Sequence, residues 1–196
     1  MNDKDYTSPL VDRLLELARQ QDRGALAALR SGVGKRPGEA GRMFPYVAPF
    51  LPAAAASGPV VEAAFLTAAL FAAHPLHGPI GSLGASLWRA TKQPGNPGGK
   101  HEKEGVERRL AAALDAHADD LPHHLEGLIT LCESAGAPVD WHQFQRDVAG
   151  LLSEWTVRAD SRRLVRDTIR IRWARDFWRG PGHDANASES NEEPKE

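Results

Sequence analysis

A chain of 196 residues, 41% of them hydrophobic, has the length for one globular domain or two small ones and the apolar mass for a buried core. A formal net charge of −2 excludes a chain that is basic throughout, and a single cysteine, Cys132, excludes an intramolecular disulfide or a cysteine-based zinc site. No run reaches the roughly 18 apolar residues of a membrane span, and the polar start MNDKDYTSPL lacks a signal-peptide core, so a cytoplasmic protein is expected.

In chain order, Ser8-Pro9 is a helix start, with Ser at the N-cap and Pro at the first helical position. Leu10, Val11, Leu14, Leu15, Leu17 and Ala18 form its apolar stripe. A second short helix is expected from Asp22, with Leu26 and Leu29 inward, ending at Gly32. A glycine-punctuated basic loop follows, LRSGVGKRPGEAGRMFPYV, holding Arg30, Lys35, Arg36 and Arg42. Its Gly-Val-Gly-Lys departs from a phosphate loop. The Walker pattern puts four residues before Gly-Lys and a Ser or Thr after it, following a strand, whereas here Arg36 follows Lys35 and a helix precedes. The loop is either a backbone-phosphate holder through Lys35, Arg36 and Arg42 or a solvated connector. The proline-rich stretch 43–52 predicts a short helical turn packed under it.

Ser57-Gly58-Pro59 opens VVEAAFLTAALFAAH, apolar nearly all round and therefore the expected central buried helix. His74 and His77 flank Pro75 with no acidic partner near, which reads as helix-end histidines rather than a metal pair. Ser82 caps LGASLWRATKQ, with Leu83, Leu87 and Trp88 inward and Arg89 and Lys92 outward. QPGNPGGK, residues 93–100 and including Lys100, has little ordering capacity and is expected to link an N-terminal bundle (1–92) to a C-terminal one (101–180).

Beyond the linker, Lys103, Arg108 and Arg109 share a helix with Val106, Leu110, Ala113 and Leu114. Asp119-Asp120-Leu121-Pro122 opens another, with Leu125, Leu128, Ile129, Leu131 and Cys132 inward. Cys132 reads as a small core residue, and His123 and His124 point about 100° apart, a poor metal pair. Asp140-Trp141 starts a third, with Phe144, Val148 and Leu151 inward and Arg146 outward. The last helix, residues 158–179, is expected to be capped by Asp160 or Ser161 and stopped by Gly180-Pro181. Leu164, Thr168, Ile171 and Trp178 form its expected packing stripe. Arg162, Arg163, Arg166 and Arg170 lie on one flank, and Arg172, Arg175 and Arg179 on the other. Such arginines face either a polyanion or solvent, the latter with pairs such as Arg163–Asp167 and Arg172–Asp176. Residues 181–196, rich in Ser, Asn and Glu, read as a disordered acidic tail whose removal leaves the rest slightly basic. Almost no period-two alternation occurs, so the fold class is all-α, in two small helical bundles.

Several stretches together resemble the CasB family, the small subunit of the type I-E CRISPR Cascade surveillance complex. They are GVGKRPGEAGRMFPYV, LTAALFAAHP, SLGASLWRA, GVERRLAAALDA, DLPHHLEGLITL, PVDWHQFQRDV and RIRWARDFWR, in that order. The resemblance runs from about Leu10 to Arg179, and the acidic tail departs from it. It implies a two-bundle helical protein that is not an enzyme, needs no cofactor and has no catalytic residues. It implies partnership with the other Cascade subunits, a second copy of itself, the guide RNA and the target DNA. The role implied is holding the heteroduplex and displaced strand, which stabilises the R-loop in antiviral defence. What carries over is a pattern of cations: Lys35, Arg36 and Arg42, Arg89 and Lys92, Arg108 and Arg109, Arg146 and the arginine rows of the last helix. Arg30, Lys100 and Lys103 join them as neighbours of those segments. Phosphate contacts suffice for this, because guide pairing reads the sequence.

Two other readings compete. In one, the arginine rows bind acidic protein partners and the chain is a protein-only scaffold. In the other, it is an enzyme, either a hydrolase using His123, His124 and Asp120 or a nucleotide binder at the 32–36 loop. The second supplies no nucleophile with an oriented base. Trp88, Trp155, Trp173 and Trp178 are candidates for base stacking, although most tryptophans are expected in the core.

Overall fold

The computed structural model describes residues 7–53, 57–78, 81–93, 99–153 and 159–181, with backbone only for 99–102 and 159–164. Most of the expected linker and the acidic tail, along with Trp155 and the side chains of Lys100, Arg162, Arg163 and Leu164, lie outside these residues. The described residues form nine helices: α1 (Pro9–Arg19), α2 (Arg23–Arg30), α3 (Phe44–Val47), α4 (Pro59–Ala73), α5 (Leu83–Ala90), α6 (Gly99–Asp115), α7 (Leu121–Ser134), α8 (Trp141–Leu152) and α9 (Ala159–Trp178). Among them the only β-type pairing is one isolated bridge, so the all-α expectation holds.

The helix starts follow capping chemistry. Ser8, Asp22, Ser82 and Asp140 each accept a hydrogen bond from the backbone N–H three residues on, satisfying one of the orphan donors of the first turn. Ser8 also docks its helix: its N–H donates to His142 Nδ1 at 2.9 Å and its hydroxyl to Gln145 Oε1 at 2.6 Å, fixing α1 on α8.

Helix α4 is the hub. Nearly every side chain from Val61 to Ala72 is buried, and α1, α2, α7 and α8 all pack on it. Its Phe71 meets Trp141 of α8 edge-on at 5.6 Å, and Trp141 meets Phe144 at 5.2 Å. Burying a side chain of this size contributes roughly 1.5–3 kcal/mol, so an aromatic trio here anchors α4 to α8. The connection after α4 is tied to the one before α8. Gly78 N–H donates to Val139 O at 3.3 Å, Val139 N–H to Leu76 O at 3.2 Å, and Trp141 Nε1–H to the same Leu76 carbonyl at 3.2 Å. One buried apolar cluster therefore runs from Leu10 to Phe177, with members on both sides of Gln93.

The second close pair is α5 with α9. The contact uses a different stripe of α9 from the one expected. Ile169, Trp173 and Phe177, at i, i+4 and i+8, are buried, whereas Thr168, Ile171 and Trp178 face outward. Two glycines decide this. A Cβ on Gly84 of α5 would lie 2.0 Å from the Trp173 carbonyl oxygen, and one on Gly150 of α8 would lie 2.6 Å from Ile169 Cδ1. Both glycines permit close approach on the Ile169–Trp173–Phe177 side of α9, whose larger aromatics bury more area than Thr168 and Ile171 would.

Candidate nucleic-acid interface

The basic loop leaves α2 through Gly34, whose φ of +72° is a conformation that side-chain-bearing residues rarely adopt. The turn is pinned across the molecule: Gly34 N–H donates to Glu126 Oε1 of α7 at 2.7 Å. Glu39 then closes a 3-10 turn by accepting from Arg36 N–H at 3.0 Å. The result presents Lys35 and Arg36, both exposed, on the rim of a cleft of about 470 Å³. Phe65, Leu66 and Leu152 line it apolarly, and His123, Glu62 and Asp119 add polar groups. Arg42 is exposed in the next 3-10 turn.

A second basic corner forms where α5 and α9 end. Gly180, at φ +88°, stops α9 and packs on the indole of Trp88, where a Cβ would lie 3.2 Å from Cε2. Lys92 Nζ sits 5.8 Å from the centre of the same ring, within cation–π range. Arg89 and Arg179 are exposed beside them in sequence, as is Trp178 at 48% exposure, its ring edge-on to buried Phe177 at 5.2 Å. A third set, Lys103, Arg108 and Arg109, is exposed on α6, where Lys103 pairs with Glu107 at 3.5 Å.

The remaining candidates whose side chains are described are engaged internally. Arg30 donates through Nε and Nη2 to the Ala72 carbonyl at 3.0 and 2.6 Å, closing the C-terminal end of α4. Arg146 is half-buried and donates to Gln143 Oε1. Arg166 lies 3.9 Å from Asp167, and Arg170 donates to the Ala116 carbonyl at 2.9 Å. Desolvation and the neighbouring Arg166 charge hold the Arg170 guanidinium below its ordinary pKa. Arg172 pairs with buried Asp147 rather than with Asp176, which instead accepts from Ser82 Oγ at 2.6 Å. Lys35, Arg36, Arg42, Arg89, Arg108 and Arg109 thus stand apart: each is exposed and none is ion-paired to a described residue.

The other groups weighed in the sequence have structural partners. His74 is buried with Nε2 2.8 Å from the Ala137 carbonyl, and His77 Nδ1 accepts from Trp141 N–H at 3.4 Å. Cys132 is buried, and desolvation pushes its thiol up to about 12, so it stays protonated at neutral pH. Trp141 and Trp173 are core residues, Trp88 is half-buried, and Trp178 is the outward one among those described. The chemistry these groups make available is fixed positive charge with one accessible indole, which suits phosphate and base contacts.

A family model described as CRISPR-associated protein Cse2 matches residues 25–178. The fold is similar to that of a Cse2-family protein from Thermus thermophilus, with a TM-score of 0.66 and 27% identity, covering 88% of this chain and 99% of that one. It is similar to a chain of a CRISPR RNA-guided surveillance complex, with a TM-score of 0.65 and 26% identity over 92% of this chain and 95% of that one. A CasB structure from M. ruber, at 18% identity and a TM-score of 0.63, shares the fold over 93% of this chain and 99% of that one. No curated protein matches the chain.

Proposed function

The chain belongs to the CRISPR-associated Cse2 family, and from that premise we propose that it is a non-catalytic subunit of a CRISPR RNA-guided surveillance complex that holds nucleic acid by its backbone. Its partners in this reading are the guide RNA, the target DNA, the neighbouring subunits and a second copy of itself. The observation that carries the reading is the set of cations left without internal work. Lys35, Arg36, Arg42, Arg89, Arg108 and Arg109 come from three separate segments, the basic loop, α5 and α6, and all of them are exposed.

An exposed guanidinium or ammonium that is not ion-paired keeps its full charge for a phosphate. Exchange of a DNA duplex for an RNA–DNA heteroduplex is close to balanced, so a few such contacts tip it toward the open R-loop. They carry no sequence information, and none is needed where guide pairing supplies it.

The test is a variant carrying Lys35→Ala, Arg36→Ala, Arg108→Ala and Arg109→Ala. Each lost phosphate contact lowers the slope of log affinity against log salt by about 0.9 for a duplex and about 0.7 for a single strand. Four losses are expected to flatten the slope by about 3 and to shorten R-loop retention by the assembled complex. A variant that folds, keeps its salt slope and retains target DNA as the parent does refutes the reading. Loss of partner subunits with nucleic-acid binding unchanged identifies a protein-only scaffold instead.

A further inference from the structure

We infer that the corner where α5 and α9 end is a stacking site for single-stranded nucleic acid, with Trp178 as the platform for a base and Arg89, Lys92 and Arg179 as its phosphate contacts. This rests on the nucleic-acid reading above and specifies which strand state that corner takes.

Three observations converge there. First, Trp178 is held but not covered. Its ring meets buried Phe177 edge-on at 5.2 Å, yet 48% of the residue is exposed. Ile171, two turns earlier on the same outward face, is 65% exposed. The α9 helix therefore carries two apolar faces, and the described residues bury the one bearing Ile169, Trp173 and Phe177. The exposed indole and Ile171 together leave apolar area on this face that a base can cover.

Second, the charge around it is positive. Gly180 seats the end of α9 on Trp88, which brings Arg179 next to the last turn of α5 with Arg89 and Lys92. The nearest α9 carboxylate, Asp176, is half-buried and taken by the Ser82 hydroxyl. Cations at the same corner as an exposed indole are complementary to a single strand, whose phosphates and unpaired bases are both accessible.

Third, the geometry separates this corner from the phosphate-only sites. Lys35, Arg36 and Arg42 on the basic loop, and Arg108 and Arg109 on α6, have no exposed tryptophan among their sequence neighbours. They serve a duplex as well as a single strand. A base already stacked in a duplex offers no face to Trp178, so this corner should distinguish the two.

The experiment titrates the full chain with a 15-mer of thymidylate and with a duplex of the same length, reading tryptophan fluorescence and affinity at fixed salt. The parent is expected to be quenched by the single strand and much less by the duplex. Trp178→Leu should weaken the single-strand affinity about tenfold, the size expected for one lost base–aromatic contact, and leave the duplex within about twofold. Trp178→Phe should restore part of the loss. Equal loss on both ligands, or none on either, overturns the proposal. So does a Trp178→Leu protein that binds oligonucleotides normally but fails to join its complex, because that assigns the face to a protein neighbour. A parent chain that binds neither ligand fails the broader nucleic-acid reading itself. The Lys35→Ala, Arg36→Ala, Arg108→Ala, Arg109→Ala variant gives the converse control, with duplex binding lost and Trp178 quenching by the single strand retained in part.

Discussion

Arg172 reaches from α9 to the buried Asp147 carboxylate of α8, which also accepts Trp173 Nε1–H at 2.6 Å and Gln143 Nε2–H at 2.6 Å. One carboxylate therefore satisfies three donors, two of them from α9. Burial pushes the Asp147 carboxyl up from its ordinary pKa while Arg172, Trp173 and Gln143 pull it down. Removing the acceptor strands a guanidinium and an indole N–H together. Asp147→Leu is expected to destabilise the fold by about 3–5 kcal/mol, the range for breaking one side of a buried pair. Asp147→Asn keeps acceptor capacity and should cost roughly 1–2 kcal/mol. Urea unfolding of the two variants checks the order, and equal losses would show that the charge, not the acceptor, is what matters.

The approach of α5 to α9 makes Gly84 the most sensitive small position. A methyl there meets the Trp173 carbonyl at 2.0 Å, a backbone atom that cannot rotate away. Gly84→Ala is expected to cost at least about 1–3 kcal/mol, the usual range for overpacking, despite the higher helix propensity of alanine. Gly105, inside α6 with nothing within 4 Å of a Cβ, is the control. Gly105→Ala should stabilise by about 0.5–1 kcal/mol. Thermal midpoints that move in the same direction for both variants would contradict the packing described for α5 and α9.

The close approach at Gly84 also bears on what the sequence made legible and what it did not. The caps at Ser8, Asp22, Ser82 and Asp140, the Gly180 stop and the all-round apolarity of α4 are local signals, and each predicted its element directly. The packing face of α9 is not a local property. The helix has two apolar stripes, and helical spacing alone favours neither. The choice is made by partners about 20 and 90 positions away in the chain, Gly150 and Gly84, whose missing side chains admit Ile169 and Trp173. The same applies to the candidate interface. Its basic segments were readable by composition, but Arg30, Arg146, Arg170 and Arg172 are engaged with Ala72, Gln143, Ala116 and Asp147, which only the folded chain reveals.

The docking of α1 on α8 should depend on pH through His142. Its Nδ1 accepts the Ser8 N–H, and it is faced by Asp12 at 3.6 Å, Asp140 and the ring of His77 at 5.5 Å. Desolvation, helped by His77, holds its pKa below 6.5 against the two carboxylates. A lowered histidine pKa means that the unfolded chain binds more protons as pH falls through 6.5, so stability rises with pH across that window and falls on acidification. Protonating Nδ1 also removes the acceptor for Ser8. Amide exchange in α1 is expected to quicken between about pH 7 and pH 5.5, relative to α4, after correction for intrinsic rates. His142→Gln should flatten this dependence. An unchanged α1-to-α4 ratio across the range would rule the switch out.

The acidic end of the chain makes a prediction of opposite sign to every basic-residue substitution. Residues 182–196 carry Asp184, Glu189, Glu192, Glu193 and Glu196 against Lys195. They follow Pro181 at the corner where Gly180 rests on Trp88, beside Arg179 and near Arg89 and Lys92. Joined to the corner through Pro181, these five carboxylates are an intramolecular competitor for the cations that a nucleic-acid strand would use. Truncation after Pro181 removes that competition and the like-charge repulsion of an incoming phosphate backbone. It should tighten single-strand binding about threefold or more at 50 mM salt, where the Debye length exceeds 10 Å. The gain should vanish near 1 M salt, where screening acts within about 3 Å. Identical affinities for the truncated and full chains at low salt would mean that the carboxylates do not reach the basic corner. The tail would then act on neither Trp178 nor its cationic neighbours.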